Sequence, residues 1–389
     1  MNSPDTVVAQ RGGLTSPGWA AVYLGVAAAT LPAVLPVTVG VLADALGFGV
    51  VRAGYVASAN LGGVALGSVM CAAATRHWSW QKLINAGAAT MIGTNLLTML
   101  VASFLLMTLL RFGAGLGEGV IAAICYAAMS RTSQPARALA FYMAGQGLVG
   151  AVGMGVIPGI VAQAGWPWLF VLVSLVSLPA FWLARPIETL RDGSSRGPRM
   201  RSRAISWISV LALACMLIYF IGMSAVWALT ERIGHAKSID LVHLSIALSG
   251  SAVANVTGSV LVGILAHRLS TVTGLAAGFV TTVIGLLLLA ASHDWVTYLA
   301  GVSLFFFSWG VYFPFQFRLL AQVDAGGKMA VLIPLMTGGG FTVGPAIGGL
   351  LLASGGTVLV CGFGGACLVA STVGVAYLHL HASRQQGAR

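Results

Sequence analysis

The segment Leu109–Arg131, LLRFGAGLGEGVIAAICYAAMSR, decides the fold. It sets Arg111 and Glu118 inside an apolar run, with Gly113, Gly115, Gly117 and Gly119 at every second position. A run this long that does not alternate in polarity reads as a helix rather than a strand. On a helix, Arg111 and Glu118 fall about 20° apart on one face and about 10 Å apart along the axis. Gly115 lies between them on that face. Gly113 and Gly117 occupy the back and leave a flat surface for a neighbouring helix.

The solvent around this helix follows from composition. Of 389 residues, 58% are hydrophobic and 7% charged, whereas soluble domains carry roughly a quarter charged residues. Mean hydropathy is +0.93. Such a chain cannot cover a water-facing surface, so lipid surrounds most of it. Its 51 glycines, in this background, mark close-packed membrane helices. Cys71, Cys125, Cys215, Cys361 and Cys367 are scattered through apolar segments, with no spacing that suggests a metal site. They read as small buried side chains. The first apolar run is too long for the 7–15-residue core of a signal peptide and reads as the first span.

A bilayer core about 30 Å thick needs about 20 apolar residues per helix. Twelve such segments are predicted, at 18–42, 51–74, 83–102, 104–128, 138–162, 166–184, 205–229, 241–266, 271–291, 295–317, 329–353 and 356–378. With a cytoplasmic N-terminus, sixteen of the twenty Lys and Arg fall on the cytoplasmic side and three outside, leaving Arg111 within a helix. This asymmetry follows the positive-inside rule and places both termini in the cytoplasm. The net charge of +11 is therefore topological. A basic excess dispersed over short loops excludes a nucleic-acid role. The polar stretch 184–206 divides the chain into six spans and six. The expected organisation is a tail 1–17, a bundle 18–184, a cytoplasmic loop 185–204, a second bundle 205–378 and a tail 379–389. Ala-Asn-x-x-Gly occurs in the second span at Asn60 and in the eighth at Asn255, 195 positions apart. Each is followed by a glycine and a basic loop residue: Gly67 and Arg76, Gly263 and Arg268. This points to a duplicated half.

A charge at membrane depth costs at least about 2.5–3.5 kcal/mol. Arg111 and Glu118 therefore serve one of two ends: an ion pair locking two helices, or charges facing an internal cavity for substrate or proton. The second is the default for ionisable groups inside a membrane.

Twelve spans, both ends inside, a central loop and a repeated half resemble the major facilitator superfamily. Leu109, Arg111, Gly115 and Gly117 are similar to its fourth-helix pattern, and the resemblance implies a proton-coupling role for Arg111. In the eleventh span, GFTVGPAIGG (340–349) is similar to the family's exporter motif G-x-x-x-G-P-x-x-G-G, normally carried in the fifth span. The fifth span here has the looser GMGVIPG (153–159), and GWPWLF (165–170) is similar to the family's turn into the sixth. The family's loop after the second span carries an acid that latches the cytoplasmic side. Here Cys71 and Ala72 follow Gly67, and His267 and Arg268 follow Gly263, so the acid is missing. Glu188, Asp192 and Asp324 are the candidates to replace it.

Gly153, Pro158 and Gly159, and Gly340, Gly344, Pro345, Gly348 and Gly349, are read as bend and sliding points for one half rocking against the other. Asn60, Tyr142, Gln146, Tyr219, Trp227, Asn255, Tyr312 and Gln316 are the candidate cavity wall. The phenylalanine-rich stretch 305–318 is either lipid-facing or an apolar substrate surface. Glu231 and Arg232, at the outer end of the seventh span, either gate the outer mouth or are solvated, and the solvated reading is favoured. His235, His243 and His293 show no metal spacing. No cofactor or metal is expected.

The expectation is an all-α polytopic membrane protein, twelve transmembrane helices in two pseudo-symmetric six-helix bundles, rather than an enzyme. It moves a small amphipathic or aromatic organic solute by alternating access with protons, as a monomer in the cytoplasmic membrane, with export favoured. Proton-linked uptake of an organic anion through Arg111 is the second reading. A receptor without transport or a membrane-embedded enzyme is the alternative of another class.

Overall fold

A computed structural model describes residues 14–133, 135–191, 207–265, 268–323 and 333–387. His267, Asp192, Asp324 and most of the N-terminal tail and of the central loop lie outside these residues.

The predicted first span is broken into three pieces: α1 (Ser16–Ala28), α2 (Thr30–Ala33) and α3 (Leu35–Asp44). Pro32 and Pro36 each remove a backbone donor and crowd the preceding turn. The breaks fall just ahead of them, at Ala29 and Val34, whose ψ angles of 1° and 19° are not helical. α4 (Gly49–Ala74), α5 (Trp80–Thr98) and α6 (Phe104–Met129) follow as the second to fourth spans. α7 (Pro135–Ala164) carries Pro158 internally. The sixth span is α8 (Pro167–Ser177) and α9 (Ala180–Glu188), interrupted at Pro179. Gly165, with φ of +93°, makes the turn between α7 and α8, in a backbone region that side chains disfavour.

The second half runs through α10 (Trp207–Trp227), the short α11 (Thr230–Ala236), α12 (Leu241–Leu265), α13 (Thr271–Ala291) and α14 (Trp295–Val323). α15 (Ile333–Gly387) holds the last two spans, separated at Gly356, where φ is 65°. Among the described residues, nine helices are long and apolar enough to cross a membrane. One of them, 335–379, turns at Gly356, and α1–α3 and α5 complete the twelve spans. The helices that follow the two basic loops start alike: Ser79 and Ser270 each accept a hydrogen bond from the backbone N–H three residues on.

Arg76, Arg131 and Arg191 gather at one end of the molecule, the arginine-rich end. Asp44, Arg232 and Asp240 lie at the far end. Two bundles meet along two seams. In the first, α4 packs on α15: Gly54 lies under the Pro345 carbonyl, and a Cβ at Gly349 would touch Val50 and Val51. Beside Pro345, where helix hydrogen bonding is interrupted, the Ala346 N–H donates to Ser58 Oγ at 2.9 Å. In the second, α7 packs on α12, and Ser249 Oγ donates to the Ala151 carbonyl at 2.7 Å.

Candidate functional site

α6 owes its placement to its glycines. A Cβ at Gly115 would collide with the Asn60 carbonyl oxygen of α4, and one at Gly117 with the Gly87 carbonyl of α5. The helix is clamped between these neighbours on two sides, and Arg111 and Glu118 turn into the N-terminal bundle. Each is only 1% exposed. They do not form an ion pair with each other, since none of the ion pairs within 4.0 Å among the described residues includes them. Arg111 Nη2 donates to Thr98 Oγ1 at 2.7 Å, and its guanidinium lies 4.5 Å from the centre of the Phe170 ring. Glu118 Oε2 accepts from Asn60 Nδ2 at 2.9 Å. Arg111 Nε and Nη1, Glu118 Oε1 and Asn60 Oδ1 are buried without a hydrogen-bond partner. All of these neighbours belong to the N-terminal half.

The duplication suggested by Asn60 and Asn255 extends to tertiary contacts. Gly115 abuts the Asn60 carbonyl and Gly63 the Phe112 carbonyl; Gly310 abuts the Asn255 carbonyl and Gly258 the Phe307 carbonyl. All four positions are related by the same offset of 195. Under that offset, Arg111 corresponds to Phe306 and Glu118 to Phe313. Asn255 Nδ2 accordingly donates to the Phe306 carbonyl at 2.9 Å rather than to a carboxylate. The scaffold is repeated, but at these two positions only the first half carries charge.

The second half offers aromatic rings instead. Trp309 stacks on Phe341 at 5.5 Å, and Trp227 meets both edge-on at 6.0 and 5.5 Å. Phe220 joins this group and contacts Phe313 at 5.2 Å. Trp309, Phe313 and Phe341 are half-buried, so the group keeps an open face. Behind it, Tyr219 stacks on Tyr312 at 4.8 Å. The Tyr312 hydroxyl lies 2.9 Å from Thr372 Oγ1, and Gln316 Nε2 donates to Ser371 Oγ at 3.2 Å. The Tyr219 hydroxyl and Gln316 Oε1 are buried without partners. The remaining two wall candidates lie apart on α7. Tyr142 packs edge-on against Tyr126 at 5.1 Å, and Gln146 sits one turn on, half-buried.

The glycine-proline motif of α15 is a packing stripe with two sides. Cβ atoms at Gly340, Gly344 and Gly348 would strike α10, and Ser224 Oγ donates to the Gly340 carbonyl at 2.9 Å. Pro345 and Gly349 face α4. The fifth-span version is looser: Gly153 faces the Val34 side chain, and Gly159 has open space around it.

At the far end, Arg232 joins the bundles. It makes two hydrogen bonds to Asp44 of α3, at 2.6 and 2.7 Å, and two to Glu231, at 2.7 and 3.0 Å. The expectation of solvated side chains is corrected here: Arg232 and Glu231 side chains are only 10% and 12% exposed. Glu231 also packs where Gly40 leaves room on α3. Burial works to lower the Arg232 pKa, but the hydrogen bonds from Glu231 and Asp44 outweigh it, so the group is held firmly protonated.

At the arginine-rich end, Glu188 Oε2 accepts from the Gln81 N–H at 2.7 Å, and Glu188 Oε1 pairs with Arg191 at 3.1 Å. Glu188 thus ties the first turn of α5, the third span, to the end of the sixth, within one bundle. Arg131 stacks on Trp80 at 4.6 Å and donates to the Arg191 carbonyl at 2.8 Å. A cavity of about 410 Å³ opens beside them, lined by Ser68, Cys71, Thr75, Trp80, Arg131 and Arg191 among others. Gly67 abuts the Leu116 carbonyl, Gly263 has open space, and Arg76 is exposed. Arg268 follows the end of α12, its N–H donating to the Leu265 carbonyl.

Comparison with known proteins agrees with this architecture. The chain's fold resembles the crystal structure of a D-xylose–proton symporter, with TM-score 0.73, 12% identity, and coverage of 93% of this chain and 96% of that one. It also resembles the inward open conformation of the xylose transporter XylE from E. coli, with TM-score 0.70, 12% identity, and coverage of 91% and 94%. Over 141 residues it is 28% identical to an uncharacterized MFS-type transporter, YttB, of Bacillus subtilis (strain 168), a match that spans 35% of each protein. The family model of the Major Facilitator Superfamily matches residues 18–320. This multi-pass membrane protein belongs to the Major Facilitator Superfamily.

Proposed function

We propose that this chain moves a small amphipathic or aromatic organic solute by alternating access, coupled to protons through Arg111 and Glu118. The observation that carries this reading is the division of labour across the repeat. The first half buries a carboxylate and a guanidinium where the second half has Phe306 and Phe313, beside an open-faced group of aromatic rings. A buried carboxylate with one oxygen unpartnered gains most from taking up a proton, because neutralisation removes the penalty of a charge in an apolar interior. Trp309, Phe313 and Phe341, backed by the buried Trp227 and Phe220, supply flat apolar surface to a ring-bearing solute. The solute and the proton thus act on different bundles, and the rocking of one against the other links them.

The arginine-rich end is assigned to the cytoplasm of the cell, by the positive-inside rule. The conformation described is then latched at its outer mouth by Arg232 on Asp44. The protein works as a monomer in the cytoplasmic membrane. Export is the assigned direction, on the strength of the glycine-proline stripe of α15. Uptake of an organic anion is the second reading, favoured by the two unmet donor groups of Arg111.

Purified protein in liposomes with an imposed pH gradient, challenged with a panel of aromatic amines, aromatic acids and neutral aromatics, tests this. One class should cross in proportion to the gradient and quench tryptophan fluorescence on binding. Movement of no compound, or movement indifferent to pH, would overturn the reading.

A further inference from the structure

Arg111 is a buried cation without a contact-distance counter-ion. Its nearest acid, Glu118, lies about two turns along α6 and faces Asn60 instead. The guanidinium faces α5 and α8, where its contacts are a hydroxyl, Thr98, and a ring, Phe170. The Thr98 hydroxyl already donates to the Thr94 carbonyl, at 2.6 Å.

The three helices are in register around it. On α5, Met91, Asn95 and Thr98 share one face; on α8, Phe170, Ser174 and Ser177 share one face. Thr98 and Phe170 meet Arg111 at one level. Lower down, Ser177 Oγ points at Met91 Sδ, 3.9 Å away. Asn95 and Ser174 occupy the level between. Asn95 is 0% and Ser174 4% exposed. Both atoms of the Asn95 amide and the Ser174 hydroxyl lack a partner, as do Nε and Nη1 of Arg111. Five polar atoms without partners thus lie along one junction of three helices, and buried polar groups are otherwise almost always satisfied.

The set is rich in donors. Arg111 donates through Nε and Nη1, Asn95 through Nδ2 and Ser174 through Oγ, while Asn95 Oδ1 and the serine oxygen are the acceptors. A ligand there must accept several hydrogen bonds and carry one negative charge to balance the arginine. We infer that the N-terminal bundle holds a small monovalent inorganic anion of the halide class, bound by Arg111, Asn95 and Ser174 between α5, α6 and α8. The anion neutralises the guanidinium inside the bundle and leaves the Glu118 carboxylate free to titrate.

The test uses the full purified chain in detergent. Its thermal midpoint is measured in sodium bromide, sodium chloride and sodium gluconate at matched ionic strength, and bromide is located by anomalous diffraction. The wild-type midpoint should rise in halide over gluconate by about 2–4 °C. Ser174→Ala and Asn95→Leu should lose that rise while melting normally in gluconate, and bromide should appear beside Arg111. If Asn95→Leu does not fold, Ser174→Ala and wild-type diffraction decide. Equal wild-type midpoints in all three salts, a halide rise retained in the variants, or ordered water at the junction would overturn the inference. The readout is binding, so it stands or falls separately from proton-driven transport.

Discussion

A methyl group added to Gly115 lands on the Asn60 carbonyl oxygen, and one added to Gly159 meets nothing within 4 Å. Gly115→Ala is therefore expected to lose about 1–3 kcal/mol of stability through forced separation of α4 and α6. Gly159→Ala should melt at or above the wild-type temperature, because alanine is the better helix former. Melting of the two purified variants by fluorescence-detected size exclusion checks the contrast. Asn60→Leu removes the one hydrogen bond to Glu118 and should cost about 1–3 kcal/mol on the same assay, the penalty of a buried polar group left alone. Arg111, Glu118 and Asn60 stood out in the sequence because charge and amide are rare in apolar runs. Asn95, Thr98 and Ser174 were not singled out, although the signal was there. Asn95 is as anomalous in its span as Asn60, but only the register of α5, in which it lies one turn before the Arg111 partner Thr98, sets it on the same helix face.

Among the elements, hydropathy located the spans because crossing a bilayer demands length and apolarity together. The breaks at Ala29, Val34 and Leu178 were not located, although Pro32, Pro36 and Pro179 were visible, since a proline bends some helices and ends others. The Asp44–Arg232 contact was illegible for another reason: its partners lie 188 residues apart, and each alone looks solvated. Asp44→Asn should weaken this latch between α3 and α11. Spin labels at Ala45 and His235 should then report a second, longer distance; an unchanged single distance would show that the far end is closed by packing alone. Two exposed acids cap helices at this end. Asp240 is held below its ordinary 3.8 by the His243 side chain and backbone, with a smaller contribution from the Val242 N–H, and Asp294 by Thr297. A lowered carboxyl pKa stabilises the fold fully above the ordinary value, and that contribution is lost as pH falls through the lowered one. Asp294→Asn should therefore lose less thermal stability than the wild type between pH 5 and pH 3, the pH range flanking ordinary carboxylate titration.

At the scale of the whole molecule, the two bundles share a scaffold and divide the chemistry. The 195-residue offset was legible from one asparagine motif, and Gly115 and Gly310 extend it to contacts between helices. What the sequence could not show is that Arg111 and Glu118 turn to different neighbours, because a helical wheel gives direction but not the identity of the helix it meets. A carrier built this way separates the titrating group from the aromatic surface and depends on movement between bundles to connect them. The most direct measurement is made in liposomes holding either the wild type or Glu118→Gln, with solute accumulation followed under a pH gradient and solute exchange followed at equal pH. The account predicts that Glu118→Gln abolishes gradient-driven accumulation and retains exchange. Accumulation that follows the gradient equally well in the variant would contradict it.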